Sequence, residues 1–242
     1  MNGSRILSID ALDLAFAESP WPFAEAEQER IADHWRARTA KQPRLYNGRV
    51  LLLGRHSIGA DRRGTTLKGE YFETDFAAFL AWRDFGFPDR TVANAFSMAA
   101  LVGADGAFLV GEMAAHTANA GAIYFPAGTP DPKDVFDGKV DLAASAMREL
   151  KEETGIAAEE VVCAPAWTVV YAPPRIACLK IMRLAEPAEA VKARVEAFLA
   201  ADPEAELAAM RIVREPADLD RVRAPGFILD FFDFAFAHKS AG

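Results

Sequence analysis

Three glutamates lie close together in the chain, at a spacing that is typical of a metal-binding helix. Glu149, Glu152 and Glu153 follow one another at i, i+3 and i+4, so an α-helix would carry all three carboxylates on one face. Like charges at this spacing repel one another unless cations lie between them, and Mg²⁺ and Mn²⁺ prefer such hard oxygen ligands. The spacing therefore favours a site for a divalent cation; a solvated acidic face is the alternative.

The glutamates belong to a segment with recognisable helix ends. Asp141 is typical of a residue that caps the start of a helix. Gly155 can adopt the left-handed conformation that ends a helix, with the apolar Ile156 folding back onto the last turn. These residues predict a helix over about 142–154. The preceding residues 121–130 are apolar and end in a Pro/Gly turn, which predicts a strand and then a loop before the helix.

At this point the chain resembles the Nudix hydrolase family. The segment Arg148–Ile156 reads Arg-Glu-Leu-Lys-Glu-Glu-Thr-Gly-Ile and matches the second half of the family's signature in full. The turn Phe125-Pro126-Ala127-Gly128 is similar to the Pro-Gly-Gly turn of the first half. Twenty positions separate Gly128 from Arg148, which is about six more than in the family's pattern. The loop over residues 129–140 is therefore expected to be longer than usual.

One residue of the family's pattern is missing. Val140 stands where the family has its first glutamate, which in that family is mainly a structural partner of the arginine. We expect Asp137 or Asp141 to take over part of that role. The change is not expected to remove metal binding, but it bears on the geometry of the loop and hence on the choice of substrate.

The resemblance implies an α/β fold, namely a Nudix α/β/α sandwich with a mixed sheet. The chain has 242 residues and is longer than a bare Nudix domain of about 150. We therefore expect an N-terminal α/β extension over residues 1–92 and the Nudix hydrolase domain over residues 93–242.

Hydrophobic periodicity and turn residues predict the remaining elements. The apolar tail over residues 226–236 is expected to dock on the core as a helix or a strand, or to lie in a dimer interface. Residues 54–70 are rich in Gly, Arg and Thr and predict a loop. Further helices are expected over residues 22–41, 74–85, 187–200 and 216–222, and strands over residues 50–53, 95–102, 107–113, 161–171, 175–184 and 206–213.

The resemblance also implies roles for the residues around the acidic helix. Glu149, Glu152 and Glu153 would bind Mg²⁺, with Mn²⁺ as a possible substitute, together with the backbone carbonyl of Ala127. Arg148 would orient a glutamate through a charge-assisted hydrogen bond rather than touch the substrate.

A hydrolase of this kind also needs a general base that accepts a proton from the attacking water. Glu206 lies in an acidic segment five residues ahead of Arg211, a pattern that resembles the base-bearing segment of many family members. Glu206 is therefore the expected base, with Glu204 in reserve, although a solvated position at the start of a strand is equally compatible. Glu153 is the alternative base, because the family is not uniform on this point.

Three further polar residues are candidates for substrate binding. His116 and Asn119 precede the strand that leads into the site, and Arg175 follows two prolines. We expect them to contact a phosphate or a sugar of the substrate. The alternatives are hydrogen bonds within the loop for the first two and an exposed surface position for the arginine.

The composition excludes several other classes of protein. A net charge of −8 argues against a general nucleic-acid surface. The two cysteines are too few for a disulfide framework. Neither a signal-peptide pattern nor an apolar run of about eighteen residues is found, so no membrane partner and a cytoplasmic location are expected.

The expected function is Mg²⁺-dependent hydrolysis of a nucleoside diphosphate linked to another moiety, with a nucleotide sugar as the expected small-molecule partner. A coenzyme A diphosphatase is a disfavoured alternative, since the arginine-rich pattern expected before Phe125 is absent. A non-catalytic nucleotide-sensing module is a second alternative, and the intact metal ligands argue against it. A homodimer is compatible with the aromatic tail. Scattered matches resemble the UDP-glucose/UDP-galactose-hydrolysing branch and its bacterial relatives, at residues 34–38, 42–46, 79–82 and 112–121.

Overall fold

Two β-sheets and the helices packed on them make up the chain. A computed structural model describes residues 4–62 and 64–239. The helices are α1 (Pro22–Ala26), α2 (Gln28–Lys41), α3 (Phe76–Asp84), α4 (Leu142–Thr154), α5 (Ala188–Ala200) and α6 (Gly226–Lys239). The strands are β1 (Arg5–Ile9), β2 (Ala11–Phe16), β3 (Arg49–Asp61), β4 (Gly64–Asp75), β5 (Asn94–Val102), β6 (Phe108–Met113), β7 (Ile123–Tyr124), β8 (Ala127–Gly128), β9 (Val135–Phe136), β10 (Lys139–Val140), β11 (Val161–Cys163), β12 (Trp167–Ala172), β13 (Arg175–Leu184) and β14 (Leu207–Val213).

The larger sheet is mixed and carries the acidic helix. Its strand order is β1-β12-β13-β5-β6-β14, and the short strands β11, β7 and β8 pair with β13, β6 and β5. Strands β13 and β5 run parallel, whereas β12 pairs with β13 and β6 with β14 in antiparallel fashion. Helix α4 packs against β5, and α5 packs against β14. This arrangement confirms the predicted α/β fold with a mixed sheet.

The aromatic tail docks on the core of the larger sheet as helix α6. Phe231 and Phe232 are both 1% exposed and contact Phe108 edge-on, at centroid distances of 5.7 and 5.3 Å. Both rings also lie against Phe125 in the turn that precedes the acidic helix. Helix α6 therefore packs against the turn that contains Phe125 and stabilises it. None of the helices in the described part of the chain has the length and apolar character needed to cross a bilayer.

The smaller sheet has the order β3-β4-β2-β10-β9. The prediction of a loop over residues 54–70 is wrong, because this segment belongs to the sheet. Strands β3 and β4 form one long antiparallel hairpin through this segment, apart from Arg63, which lies outside the described residues. Leu67 is fully buried, and Gly69 gives room to the side chain of Leu53. The glycines that suggested a loop thus allow close packing within the sheet.

The first strand was not predicted, and it joins the larger sheet rather than the smaller one. Strand β1 pairs with β12, with Ile6 opposite Val170 and Leu7 opposite Val169. The next strand, β2, runs parallel to β4 in the smaller sheet. The division at residue 92 remains a prediction.

Other predicted elements are present but interrupted. The helix expected over residues 22–41 divides into α1 and α2 at Glu27. The strand over residues 121–130 consists of β7 and β8 on either side of Phe125-Pro126, because proline has no N–H for a strand ladder. The strand over residues 161–171 divides into β11 and β12, and residues 216–222 contain only the 3₁₀ turn Pro216–Asp218.

Candidate active site

Helix α4 has the ends that the sequence predicts. The Asp141 carboxylate accepts hydrogen bonds from the backbone N–H groups of Ala143 and Ala144, at 2.9 and 3.0 Å. Gly155 has a φ of 73°, a left-handed conformation that glycine adopts at low cost, and Ile156 is fully buried. Both ends of the helix are therefore fixed.

The three glutamates of this helix lie in very different environments. The Glu152 side chain is 59% exposed, that of Glu149 only 13%, and Glu153 is 3% exposed. Neither carboxylate oxygen of Glu153 has a hydrogen-bond partner of regular geometry among the described residues. A buried carboxylate without a partner is strongly destabilising when ionised. Glu153 therefore requires either a proton or a cation.

The environment of Glu149 and Glu153 also favours a bound proton or cation. Burial raises the pKa of Glu149 to about 7, with Glu152 and Glu206 adding to the rise and Arg148 opposing it. Burial is also the largest cause of a rise in the pKa of Glu153 well above its ordinary value. The charges of Glu149 and Glu206 add to this rise, and the backbone of Ala127 opposes it. Glu206 thus belongs electrostatically to the same acidic group as the helix glutamates.

These shifts predict a dependence of stability on pH that a divalent cation should reverse. The folded-state pKa of Glu149 is raised from 4.5 to about 7, so its stabilising contribution is complete below pH 4.5 and is lost as the pH rises through 7. Without divalent cations, we expect up to about 3 kcal/mol of stability to be lost between pH 4.5 and 8. Thermal unfolding in EDTA at several pH values measures this loss relative to Glu149→Gln.

Addition of Mn²⁺ should remove that loss, because a cation binds the deprotonated carboxylates and releases their protons. The expected result is a melting temperature that rises with pH in Mn²⁺ and falls with pH in EDTA. Parallel curves for the wild type and Glu149→Gln in EDTA would contradict the assignment.

Arg148 is held by a buried aspartate that the sequence analysis did not select. Its Nη2 atom donates to both carboxylate oxygens of Asp134, at 3.0 and 3.2 Å, and Asp134 is buried. Asp137 instead lies in a turn with a φ of 49°, and Asp141 caps helix α4. The expectation that Asp137 or Asp141 partners the arginine is therefore wrong, and Asp134 is that partner.

The longer loop explains how Asp134 reaches this position. Strands β9 and β10 form a hairpin whose turn residues, Asp137 and Gly138, have φ values of 49° and 72°. This is the Asp-Gly pair that two-residue hairpin turns favour. Lys139 pairs with Ala15 of β2, so the additional residues attach the loop to the smaller sheet. The Asp-Gly pair is a local signal for this hairpin in the sequence.

Arg148 also holds the first two glutamates of the helix. Its Nη1 atom lies 2.8 Å from Glu149 Oε1 and 3.3 Å from Glu152 Oε2. Within residues 4–62 and 64–239, no three His, Cys, Asp or Glu side chains already stand in a metal-ligating arrangement. The donor set nevertheless fits a hard divalent cation, since it consists of carboxylates and includes the unpartnered oxygens of Glu153.

Gly128 fits closely against this group. A Cβ atom at this position would overlap the carboxylate of Glu149. Ala127 and Gly128 themselves are fixed by pairing with Met98 and Ser97 of β5. The backbone next to Ala127 can therefore approach the glutamates only because residue 128 has no side chain.

We expect Gly128→Ala to displace Glu149 and to lower kcat by about 10²-fold, because small displacements of a reacting group have effects of that size. Steady-state kinetics measures the change. Gly59→Ala is the matched control, since a Cβ at residue 59 would meet nothing within 4 Å. Equal activity of the two variants would show that the close approach at Gly128 is unimportant.

A cavity of about 760 Å³ opens beside Ala127 and Gly128. Besides Ala127, it brings together four more of the predicted residues, His116, Asn119, Arg175 and Glu206, as well as the reserve residue Glu204. Residues of the N-terminal segment form another part of its wall, among them Tyr46, Phe76, Phe79 and Arg83.

Asn119 connects the two parts of the cavity wall. Its Nδ2 atom donates to the Tyr124 hydroxyl at 3.1 Å, and its Oδ1 atom accepts from Arg83 Nη1 at 3.0 Å. Burial raises the pKa of Tyr124, with Glu153 and Glu206 adding to the rise. Sequence reasoning missed Tyr124 and Arg83, because neither lies at a spacing that marks a site.

Residues 92–224 match the NUDIX domain family. Because this match covers more than half of the chain, the protein belongs to the Nudix family and is a Nudix hydrolase. Hydrolases of this family act on nucleoside diphosphate derivatives and generally use divalent metal ions. No curated protein sequence matches the chain significantly.

Several solved structures are similar to part of the chain at low sequence identity. A C. elegans Ap4A hydrolase, in a binary complex, is 15% identical, with a TM-score of 0.43 over 61% of this chain and 99% of that one. A MutT protein from Methanosarcina mazei Go1 is 17% identical, with a TM-score of 0.41 over 61% and 95%. The Nudix hydrolase RenU from M. smegmatis is 15% identical, with a TM-score of 0.40 over 61% and 84%. The family match identifies no branch within the family, so the resemblance to the UDP-sugar branch is not supported.

Proposed function

We propose that the protein is a Mg²⁺-dependent pyrophosphatase that hydrolyses a nucleoside diphosphate linked to another moiety, with a nucleotide sugar as the substrate class. The products are a nucleoside monophosphate and the phosphorylated moiety. The observation that carries the proposal is the buried carboxylate of Glu153, which has no hydrogen-bond partner of regular geometry among the described residues and lies among further acidic groups.

The helix glutamates Glu149, Glu152 and Glu153 would hold the cation, together with the carbonyl of Ala127. A bound Mg²⁺ or Mn²⁺ supplies Lewis-acid stabilisation of the phosphoryl oxygens. Arg148 is a positioning residue in this proposal, because it links Asp134 to Glu149 and so fixes the direction in which the glutamate points.

Glu206 is the proposed general base. It is exposed to the cavity and its charge acts on both Glu149 and Glu153. Its backbone is fixed, since the Glu206 carbonyl accepts a hydrogen bond from the N–H of Ala114 at 2.8 Å. An accessible carboxylate beside the acidic group is suited to accept a proton from a water molecule that attacks phosphorus. Glu153 remains the alternative base.

The nucleotide sugar is proposed from the lining of the cavity. His116, Asn119 and Arg175 offer polar groups to a sugar or a phosphate, while Phe79 and Phe227 offer apolar surface. A wall of this mixed kind is typical of sites for small molecules.

A substrate panel tests the proposal. The purified protein is incubated with nucleotide sugars, ADP-ribose, dinucleoside polyphosphates and coenzyme A, in Mg²⁺ or Mn²⁺, and the products are separated. We expect a nucleotide sugar to give the highest kcat/KM and to yield a nucleoside monophosphate. Tight binding without turnover of any compound would contradict the proposal and favour a sensing module. Gel filtration of the same preparation tests whether the protein forms the homodimer with which the aromatic tail is compatible.

A further inference from the structure

Two arginines from distant parts of the chain line the same cavity. Arg83 lies in the last turn of α3, in the segment before the family match, and Arg175 is the first residue of β13. The backbone of Arg175 pairs with the neighbouring strands, but its guanidinium makes no hydrogen bond or ion pair with any residue that the structure describes. Burial and the nearby charge of Arg83 lower the pKa of Arg175. Two like charges are thus held close together beside the acidic group.

Arg83 is only partly neutralised by its neighbours. Its Nη1 atom donates to Asn119 Oδ1 at 3.0 Å, and its Nε atom donates to Asp84 Oδ1 at 3.1 Å. Asp84 is shared, since its Oδ2 atom also lies 3.0 Å from His34 Nε2 and 3.3 Å from Arg38 Nη1. One carboxylate therefore serves two guanidinium groups and an imidazole, and positive charge is left at this end of the cavity.

The turn after α3 holds Arg175 in place. The Arg175 guanidinium lies over the ring of Phe87, 4.8 Å from its centroid, which is a cation–π contact. Phe87 has a φ of 60°, a conformation that is uncommon for a bulky residue and is found preferentially at functional sites. It is kept there by a hydrogen bond from its N–H to the Trp82 carbonyl at 2.8 Å and by edge-on packing on the Trp82 ring at 4.7 Å.

The N-terminal segment that carries Arg83 is hydrogen-bonded to the loop that contains His116 and Asn119. Gln42 Nε2 donates to the carbonyl of Thr117 at 2.9 Å, and Arg83 donates to Asn119 as described above. Both contacts join residues before the family match to the loop between β6 and β7. Two contacts therefore fix the N-terminal segment to this loop, and the second of them holds Arg83 at the cavity.

We propose that Arg83 and Arg175 together bind a phosphoryl group of the substrate's diphosphate, so that the N-terminal segment supplies part of the substrate site. The inference rests on the proposed function. A diphosphate between this pair and the acidic helix would meet arginines on one side and the cation held by the glutamates on the other. Other charged groups on the wall are Asp131, Glu206 and the ion pair of Arg44 with Glu204, whose N–O distance is 2.9 Å. Arginine is suited to such a role because its planar fork matches phosphate oxygens.

The test measures binding of inorganic pyrophosphate in EDTA by titration calorimetry, and so needs no turnover. We expect Arg83→Gln and Arg175→Gln each to weaken binding by about tenfold or more, the loss of one charge-assisted contact. The double variant should lose less than the product of the two single losses, because both side chains act on one group. Arg55→Gln is the control, since that side chain is 92% exposed and lies in the smaller sheet. Melting curves check that each variant is folded.

Unchanged affinity for pyrophosphate in both single variants would overturn the inference. The failure of the proposed function is a separate outcome: if no compound of the panel is hydrolysed but pyrophosphate binding still depends on both arginines, the anion site stands and the enzymatic role does not.

Discussion

Glu153→Gln is expected to lower kcat by about 10³-fold or more on the best substrate. The substitution keeps the size of the side chain but removes the charge that the buried site would offer to a cation, and electrostatic groups at reacting phosphates contribute effects of this size. The carboxylate is 3% exposed, so water cannot easily replace it. Steady-state kinetics in saturating Mg²⁺, together with Mn²⁺ titration, measures the loss of turnover and of metal affinity.

Two other glutamates serve as comparisons for this variant. Glu159→Gln is the control, because Glu159 is exposed and lies beyond the end of α4; it should retain wild-type rates. Glu206→Gln separates the two roles, since it should lower kcat while Mn²⁺ affinity stays close to that of the wild type. Wild-type turnover in Glu153→Gln would remove the basis of the proposed mechanism.

Asp134→Asn is expected to destabilise the protein by about 2 kcal/mol or more and to lower kcat as well. Asp134 is buried, and the guanidinium of Arg148 that it binds is only 24% exposed. Neutralising the buried partner removes the bidentate contact of Arg148 and leaves its charge compensated only by Glu149 and Glu152, which is destabilising. Arg148 would then be free to turn fully toward Glu149 and compete with the cation. Denaturant unfolding and steady-state kinetics measure the two effects.

Asp137→Asn is the matched control for this change. Asp137 lies in the same loop but is exposed, and asparagine tolerates its left-handed backbone. We expect its stability to stay within about 0.5 kcal/mol of the wild type, as for most surface substitutions. Equal destabilisation of the two variants would show that the Asp134–Arg148 pair contributes little.

The acidic helix was predictable because its determinants are local. The spacing of its glutamates, the cap at Asp141 and the left-handed Gly155 all act within a few residues of one another, so the sequence is sufficient to place them. The docking of the tail was predictable for a similar reason, since an apolar segment of this length must be covered.

The partner of Arg148 was not predictable in the same way. Asp134 is brought to the arginine by a hairpin that pairs with a strand more than a hundred residues away in the chain, and no local pattern encodes that pairing. The smaller sheet was missed for the same reason. Its long hairpin is stabilised by cross-strand packing, as where Gly69 accommodates Leu53, and the glycine content alone suggested a loop.

The residues of the cavity were predictable only in part. His116, Asn119 and Arg175 were selected from their positions beside predicted strands, and they do line one cavity. Arg83 was missed, because only the packing of α3 against the loop after β6 brings it to Asn119. The contribution of the N-terminal segment to the cavity wall is therefore a property of the tertiary structure.

Anomalous diffraction from a crystal soaked with Mn²⁺ and a non-hydrolysable nucleoside diphosphate analogue tests the central claim most directly. We predict a Mn²⁺ peak within coordination distance of the carboxylates of Glu149, Glu152 and Glu153, with the diphosphate of the analogue on its far side. Carboxylates that still point to Arg148, with no Mn²⁺ peak beside them while the analogue is bound, would contradict the proposed enzyme.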